Sequence, residues 1–273
     1  MGGADWETRA KARAIRSECL KTTHAAQLGH LGADFSALET LIVLYDRVLR
    51  FPNGDLSHPD RDRFVLSKGH AALAYYAVLS RLRERPVANI SEFAKFGSAL
   101  SGHPSNTKVK GIETSTGPLG HGLPFGVGAA LAAKLEGSSR RIFVLVGDGE
   151  LQEGSNWEAA MLAGSRQLDN LLTIVDRNRL QQGRGTELVN RLEPLTEKWR
   201  AFGWSVREVD GHDPEQLFDV LTSIPFKSGM PSCVVAHTTK GRGVSFMEGK
   251  AAWHHKVPSL GELDLALAEL AEG

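Results

Sequence analysis

Of 273 residues only two are cysteine, Cys19 and Cys233. Each sits among apolar neighbours without the paired spacing of a zinc or redox site, so buried, reduced thiols are expected. An excess of either charge is equally absent, with 32 Lys plus Arg against 32 Asp plus Glu. Such a chain sets up no global field to gather nucleic acid or an anionic membrane surface, and its neutrality favours association. No run of about 18 apolar residues is present to cross a bilayer. The charged opening MGGADWETRAKARAIRSE lacks the apolar centre of a secretory signal, and a cytoplasmic protein is expected. Internal repeats, low-complexity tracts and interdomain linkers are missing too. What is there, 41% hydrophobic and 23% charged residues, suits a globular chain with a sizeable core, and residues 1–273 read as one α/β domain.

The most informative stretch is RIFVLVGDGELQEGSNWEAAMLAGSRQLDNLLTIVDRNRL, residues 141–180. Ile142–Val146 and Leu171–Val175 are continuous apolar runs rich in β-branched residues, which predicts strands buried on both faces of a parallel sheet. A helix between them, with Trp157, Ala160, Met161 and Gly164 at helical spacing on its inner side, would set the strands parallel. Asp148 then stands just past the end of the first strand and Asn178 just past the second, the edge at which open parallel sheets place their ligands. An anionic and an amide oxygen suit a small hard cation whose other positions go to phosphate oxygens and water, so a diphosphate cofactor is implied. Gly147 and Gly149 let a ligand approach the main chain there.

Elsewhere, Asp5–Leu28 reads as an amphipathic helix ending at Gly29, and Phe35–Leu49 as a second helix with Leu38, Leu41, Ile42, Tyr45 and Leu49 inward. Arg63–Leu66 is a short strand. Ser67 is expected to cap a third helix whose first turn, with Gly69 and His70, offers amides to an anion. Residues 95–128 form a long Gly/Pro/Ser/Thr-rich stretch of the kind that is usually functional, becoming helical over Leu123–Leu135. QQGRGTE reads as a mobile segment. A helix over Leu195–Phe202, strands Trp204–Val209 and Val234–His237, a helix from Pro214 and a closing helix over Leu260–Leu270 complete the pattern.

Five of the ten histidines directly follow glycine: His30, His70, His103, His121 and His212. Gly-His presents an imidazole on a backbone free to turn sharply, which suits proton transfer or hydrogen bonding to a ligand. His-x-x-x-His and Cys-x-x-Cys spacings are absent, which argues against a zinc cluster.

The run GDGELQEGSNWEA, followed by NLLTIVDRNRLQ, resembles the thiamine diphosphate motif, which opens on GDG and closes on an Asn; here Asn178 follows Asp148 by 30 residues. LGHLGADFSALE, FVLSKGHAALAYY, SGHPS, STGPLGHG, and TTKGRGVSFME before WHH then look like segments of transketolase, in its order and over nearly the whole chain. The resemblance implies the thiamine diphosphate-binding fold, an open, mostly parallel sheet with helices on both faces. It implies Mg²⁺ or Ca²⁺ held against the cofactor's diphosphate by Asp148, Asn178 and the carbonyl of Leu180. Gly147, Gly149 and Glu150 come with the motif as cofactor-binding positions, Gly117 and Leu119 would lie by the aminopyrimidine, and His70 near the diphosphate. Glu153 would join a relay between paired active sites, and His103 would hold the donor's terminal hydroxyl. His30 and one of the last histidines would move protons on substrate hydroxyls; His254 matches better than His255, also as a cofactor contact.

The activating glutamate of this family lies in a separate pyrimidine-binding domain, which this sequence does not contain. The resemblance is therefore to the amino-terminal subunit of split transketolases, with an obligate carboxy-terminal partner, an α2β2 heterotetramer, and sugar or sugar-phosphate substrates exchanging a two-carbon ketol unit. Two positions depart from the pattern: His121 stands where glutamine is usual and His237 where Lys or Arg is frequent. The alternatives are a decarboxylating subunit of 2-oxo acid dehydrogenases, which shares the GDG to Asn signature but lacks SGHP and SKGHAAL, and a non-catalytic cofactor-binding orphan. A nicotinamide dehydrogenase needs G-x-G-x-x-G after a first strand, and GPLGHG follows none.

Overall fold

The apolar runs become the middle of a five-stranded sheet in a computed structural model that describes residues 3–82 and 84–272. In chain order the elements are α1 (Gly3–Ala26), α2 (Leu31–Val43), β1 (Arg63–Leu66), α3 (Ala72–Leu79), α4 (Gly122–Leu135), β2 (Ile142–Gly147), α5 (Gly154–Ser165), β3 (Leu171–Arg177), a hairpin of β4 (Leu180–Gln181) and β5 (Arg184–Gly185), α6 (Thr186–Val189), α7 (Leu195–Ala201), β6 (Ser205–Asp210), α8 (Pro214–Thr222), β7 (Ser232–His237) and α9 (Leu260–Glu272). The sheet runs β1-β2-β3-β7-β6 and every pairing in it is parallel.

Alternation along the strands explains why both faces need cover. Phe143, Leu145, Leu172 and Ile174 point into a core shared with α1, α2, α3, α8 and α9. Ile142, Val144, Val146, Leu171 and Val175 point into an opposite core with α4, α5 and α7, which also holds the buried Trp199 and Trp204. The chain moves from β2 to β3 through α5 on one face, and from β6 back to β7 through α8 on the other. The order reverses between β3 and β7, and a crevice opens beyond their C-terminal ends. No helix among the described residues is long and apolar enough to cross a membrane, and both cysteines are buried and free.

Several expectations need correction. α5 turns Asn156, Ala159, Ala160 and Ala163 inward, while Met161 is 57% exposed. The Asn156 amide donates to the Glu150 carbonyl at 2.7 Å, so a polar residue holds a core position that apolar periodicity assigns elsewhere. α2 starts at Leu31 and is buried all round, including Asp34 and Glu39. Ser67 does not cap the third helix: its hydroxyl donates to Glu150. The capping role falls to Asp34, whose Oδ1 accepts the Ala74 amide at 2.9 Å. α1 stops before Gln27, which adopts a φ of 52°, and α3 stops at Leu79. QQGRGTE is built into the β4–β5 hairpin and the start of α6.

Candidate active site at the C-terminal edge of the sheet

Parallel register fixes the centre of the site. Gly147 pairs with Asp176, so Asp148 and Asn178 leave neighbouring strands side by side. Asp148 accepts the Gly149 amide at 2.7 Å on Oδ1, and the Arg179 amide at 2.6 Å and the Arg177 guanidinium at 3.0 Å on Oδ2. Burial and the neighbouring Asp176 carboxylate push its pKa up to about 6, against the opposing pull of Arg177. Asn178 reaches Asp176 through Nδ2 at 3.3 Å and accepts the Leu180 amide on Oδ1 at 3.0 Å.

Two further buried carboxylates brace this edge. Asp176 takes Lys68 and Thr238, both at short range, and Ser36 at 2.6 Å. Burial alone would raise its pKa, but Lys68 and these hydrogen bonds outweigh it and keep the carboxyl below its usual range. Glu150 accepts Ser67, the Gly147 amide at 2.9 Å and the Gly120 amide at 3.0 Å. It therefore ties the ends of β1 and β2 to the 115–121 loop.

Opposite them stands a cluster of imidazoles from loops far apart in sequence. His30 lies 5.5 Å from His70, 6.0 Å from His103, 5.6 Å from His254 and 4.6 Å from His255, ring centre to ring centre. Burial, reinforced by His255, His103 and two lysines, lowers His30 to about 4. His254 falls to about 3 through burial and Lys240, whose Nζ is 2.8 Å from its Nδ1. Burial and Lys68 hold His70 well below its ordinary value, and burial lowers His103. Lys240 itself drops to about 8 through burial and repulsion from Lys68.

Between the two walls lies a cavity of about 320 Å³. All the residues singled out from the sequence line it: His30, His70, His103, His254, Gly117, Leu119, Gly147, Asp148, Gly149, Glu150, Glu153, Asn178 and Leu180. Gly117, at φ 137°, leaves no room for a side chain, since a Cβ there would stand 3.0 Å from the His103 ring. Gly120, at φ 82°, is in the same position against Glu153 and Ser155. Lys68, Gln152, Gln181, Gln182 and Lys240 also line the cavity and were missed. The two lysines stand inside the SKGHAAL and TTKGRG segments, where a cation between glycine-rich turns was the available signal. The two departures lie outside this lining: His121 is exposed with Nδ1 3.1 Å from the Leu119 carbonyl, and His237 pairs with Glu208 at 2.8 Å on the surface.

The site fits a metal-bound diphosphate by the chemistry of its donors. No cluster of three or more His, Cys, Asp or Glu able to hold a metal occurs among the described residues. One carboxylate, one amide and one backbone carbonyl leave a hard cation needing the oxygens a diphosphate carries.

Comparison with known proteins agrees with this geometry. Residues 7–271 match the family model described as transketolase, thiamine diphosphate binding domain. The chain is 47% identical over 267 residues to one of the two chains of the apulose-4-phosphate transketolase of Actinobacillus succinogenes, covering 97% of this chain and 96% of that protein. It is 38% identical over 260 residues to the 6-deoxy-6-sulfo-D-fructose transketolase subunit SqwG of a Clostridium species, covering 95% of this chain and 94% of that one. The crystal structure of transketolase from Campylobacter jejuni superposes with a TM-score of 0.88 at 30% identity, over 97% of this chain but only 42% of that enzyme. The chain belongs to the transketolase thiamine diphosphate-binding family, among the subunits of its split, two-chain members.

Proposed function

We propose that this chain supplies the diphosphate-binding half of a two-chain transketolase, which moves a two-carbon ketol unit from a ketose or ketose-phosphate donor to an aldose acceptor. The observation that carries the reading is one cavity with two unlike walls: an oxygen-donor edge at Asp148, Asn178 and Leu180, and an imidazole wall opposite. Thiamine diphosphate, when bound, supplies the carbon nucleophile and electron sink for cleaving and forming the carbon–carbon bond. Asp148 and Asn178 through their side chains, and Leu180 through its carbonyl, hold Mg²⁺ or Ca²⁺ against the diphosphate. Gly117 and Leu119 bound the space for the aminopyrimidine. Glu150, its oxygens already engaged, shapes the cofactor site by fixing the glycine turns.

The lowered histidines are neutral near pH 7, so each has a basic nitrogen to offer. His30, central in the cluster, takes and returns the proton of a reacting substrate hydroxyl. His254 accepts from Lys240 on Nδ1, which leaves Nε2 as the protonated nitrogen, a donor for a substrate oxygen. His103 holds the donor's terminal hydroxyl and His70 sits by the diphosphate. Glu153, exposed at the start of α5, faces outward as part of a relay to a second active site. The partner is the carboxy-terminal subunit, which carries the pyrimidine-binding domain, in a two-plus-two assembly.

Ketol transfer measured with this chain and its partner together, using a ketose donor and aldose acceptor with thiamine diphosphate and Mg²⁺, tests the reading. Transfer requiring both chains is expected. Equal transfer by the partner with this chain omitted would refute it.

A further inference from the structure

Arg177 has no part in the chemistry described above, yet it is among the most completely buried large side chains in the molecule, with 1% of its side chain exposed. Its Nη1 donates to Asp148 Oδ2 at 3.0 Å and to Thr186 Oγ1 at 2.9 Å. Its Nη2 donates to Glu187 at 2.9 Å and to Glu193 at 2.8 Å. Glu187 in turn accepts the amides of Leu192 and Glu193, and Glu193 accepts that of Leu195. One guanidinium thus joins the carboxylate at the end of β2 to both ends of the 186–193 segment. That segment continues the hairpin whose first residue is Leu180, and the Thr186 amide returns to the Arg179 carbonyl at 3.0 Å.

Resting on the cation site proposed above, we infer that Arg177 is the positioning residue of that site, setting the orientation of Asp148 and the placement of the Leu180 hairpin together. The Arg177 and Arg179 donors occupy Oδ2 of Asp148. Oδ1 accepts only the Gly149 amide and keeps acceptor capacity for a cation. A lone guanidinium here would repel Mg²⁺, but Glu187 and Glu193 offset its charge, so it orients the ligand at little electrostatic cost. A fork of fixed donors suits this task, whereas a lysine ammonium, a flexible point charge, does not. Groups that orient metal ligands through hydrogen bonds typically contribute 10–100-fold to metal affinity.

The test is the Mg²⁺ concentration needed for half-maximal thiamine diphosphate binding, measured by calorimetry on the protein purified with its partner chain. Arg177→Met is expected to raise it about tenfold or more, with Arg177→Lys intermediate. If charge alone mattered, removing the cation would lower the requirement instead. Glu193→Gln combined with Thr186→Val leaves the buried guanidinium in place, and is expected to move the requirement the same way by a smaller factor. That pair carries the test should Arg177→Met fail to fold. Hydrogen exchange over residues 186–193 is expected to slow when Mg²⁺ and cofactor bind the unmodified protein, and this protection to be lost in the variants. An unchanged or lowered Mg²⁺ requirement in the variants overturns the role of Arg177 while leaving the cation site intact. Absence of Mg²⁺-dependent binding in the unmodified protein would overturn the cation site itself, and this inference with it.

Discussion

At the sheet edge of the cavity three buried carboxylates are fully engaged: Asp148 with Arg177 and two amides, Asp176 with Lys68 and two hydroxyls, Glu150 with Ser67 and two amides. Across from them, the imidazoles of His30, His70 and His103 have ring neighbours but, among the described residues, no hydrogen-bond partner. The first wall is fixed by strand register and ion pairs, which suits holding a metal and a diphosphate in one place. The second is carried by loops and keeps its nitrogens for a substrate. Binding and proton transfer are therefore expected to separate by wall.

The largest effect should come from the engaged wall. Asp148→Ala is expected to weaken metal-dependent thiamine diphosphate binding by more than about a hundredfold, beyond the loss from removing a group that merely orients a ligand; calorimetry in Mg²⁺ reads it, and retained tight binding would remove Asp148 from the site. On the other wall, His30→Ala should leave cofactor binding alone and slow ketol transfer by roughly 10²–10⁴. Unchanged turnover would take His30 out of the proton path. Glu150→Ala strands the buried amides of Gly147 and Gly120, and should cost at least about 2 kcal/mol of stability in denaturant unfolding.

The histidine wall also predicts an acid response. The folded pKa values of His30 and His254, about 4 and about 3, lie below the ordinary 6.5. Between these values the unfolded chain binds more protons than the folded one, so stability falls as pH drops from about 6.5 toward 4. The melting temperature should decline over that window, and His254→Asn should flatten the slope. Lys240, lowered to about 8, works at the other end: its stabilising relief arrives as pH rises from 8 toward 10.5, and Lys240→Met should abolish it. Smallest of all, His237→Ala removes only an exposed contact with Glu208 and should change stability by under about 0.5 kcal/mol.

The engaged wall was the more legible in sequence, for a physical reason. Strands buried on both faces read as unbroken apolar runs, and their ends locate Asp148 and Asn178 directly. The histidines were legible one by one as Gly-His pairs and WHH, and their convergence on one cavity followed only from the family resemblance. What stayed hidden was polar and buried. Lys68 and Lys240 look like surface cations, Asn156 breaks the apolar face of α5 and so sends Met161 outward, and Asp34 caps a helix other than its own. In each case a partner distant in sequence makes the burial tolerable. Arg177 is the extreme instance, since its partners are carboxylates and a hydroxyl that look like solvated loop residues when the chain is read in order.

Native mass spectrometry of this protein drawn from its own cells, with thiamine diphosphate and Mg²⁺ present, tests the central claim most directly. A complex containing a second, distinct chain together with bound cofactor is the predicted result. A cofactor-free monomer or homodimer would contradict it.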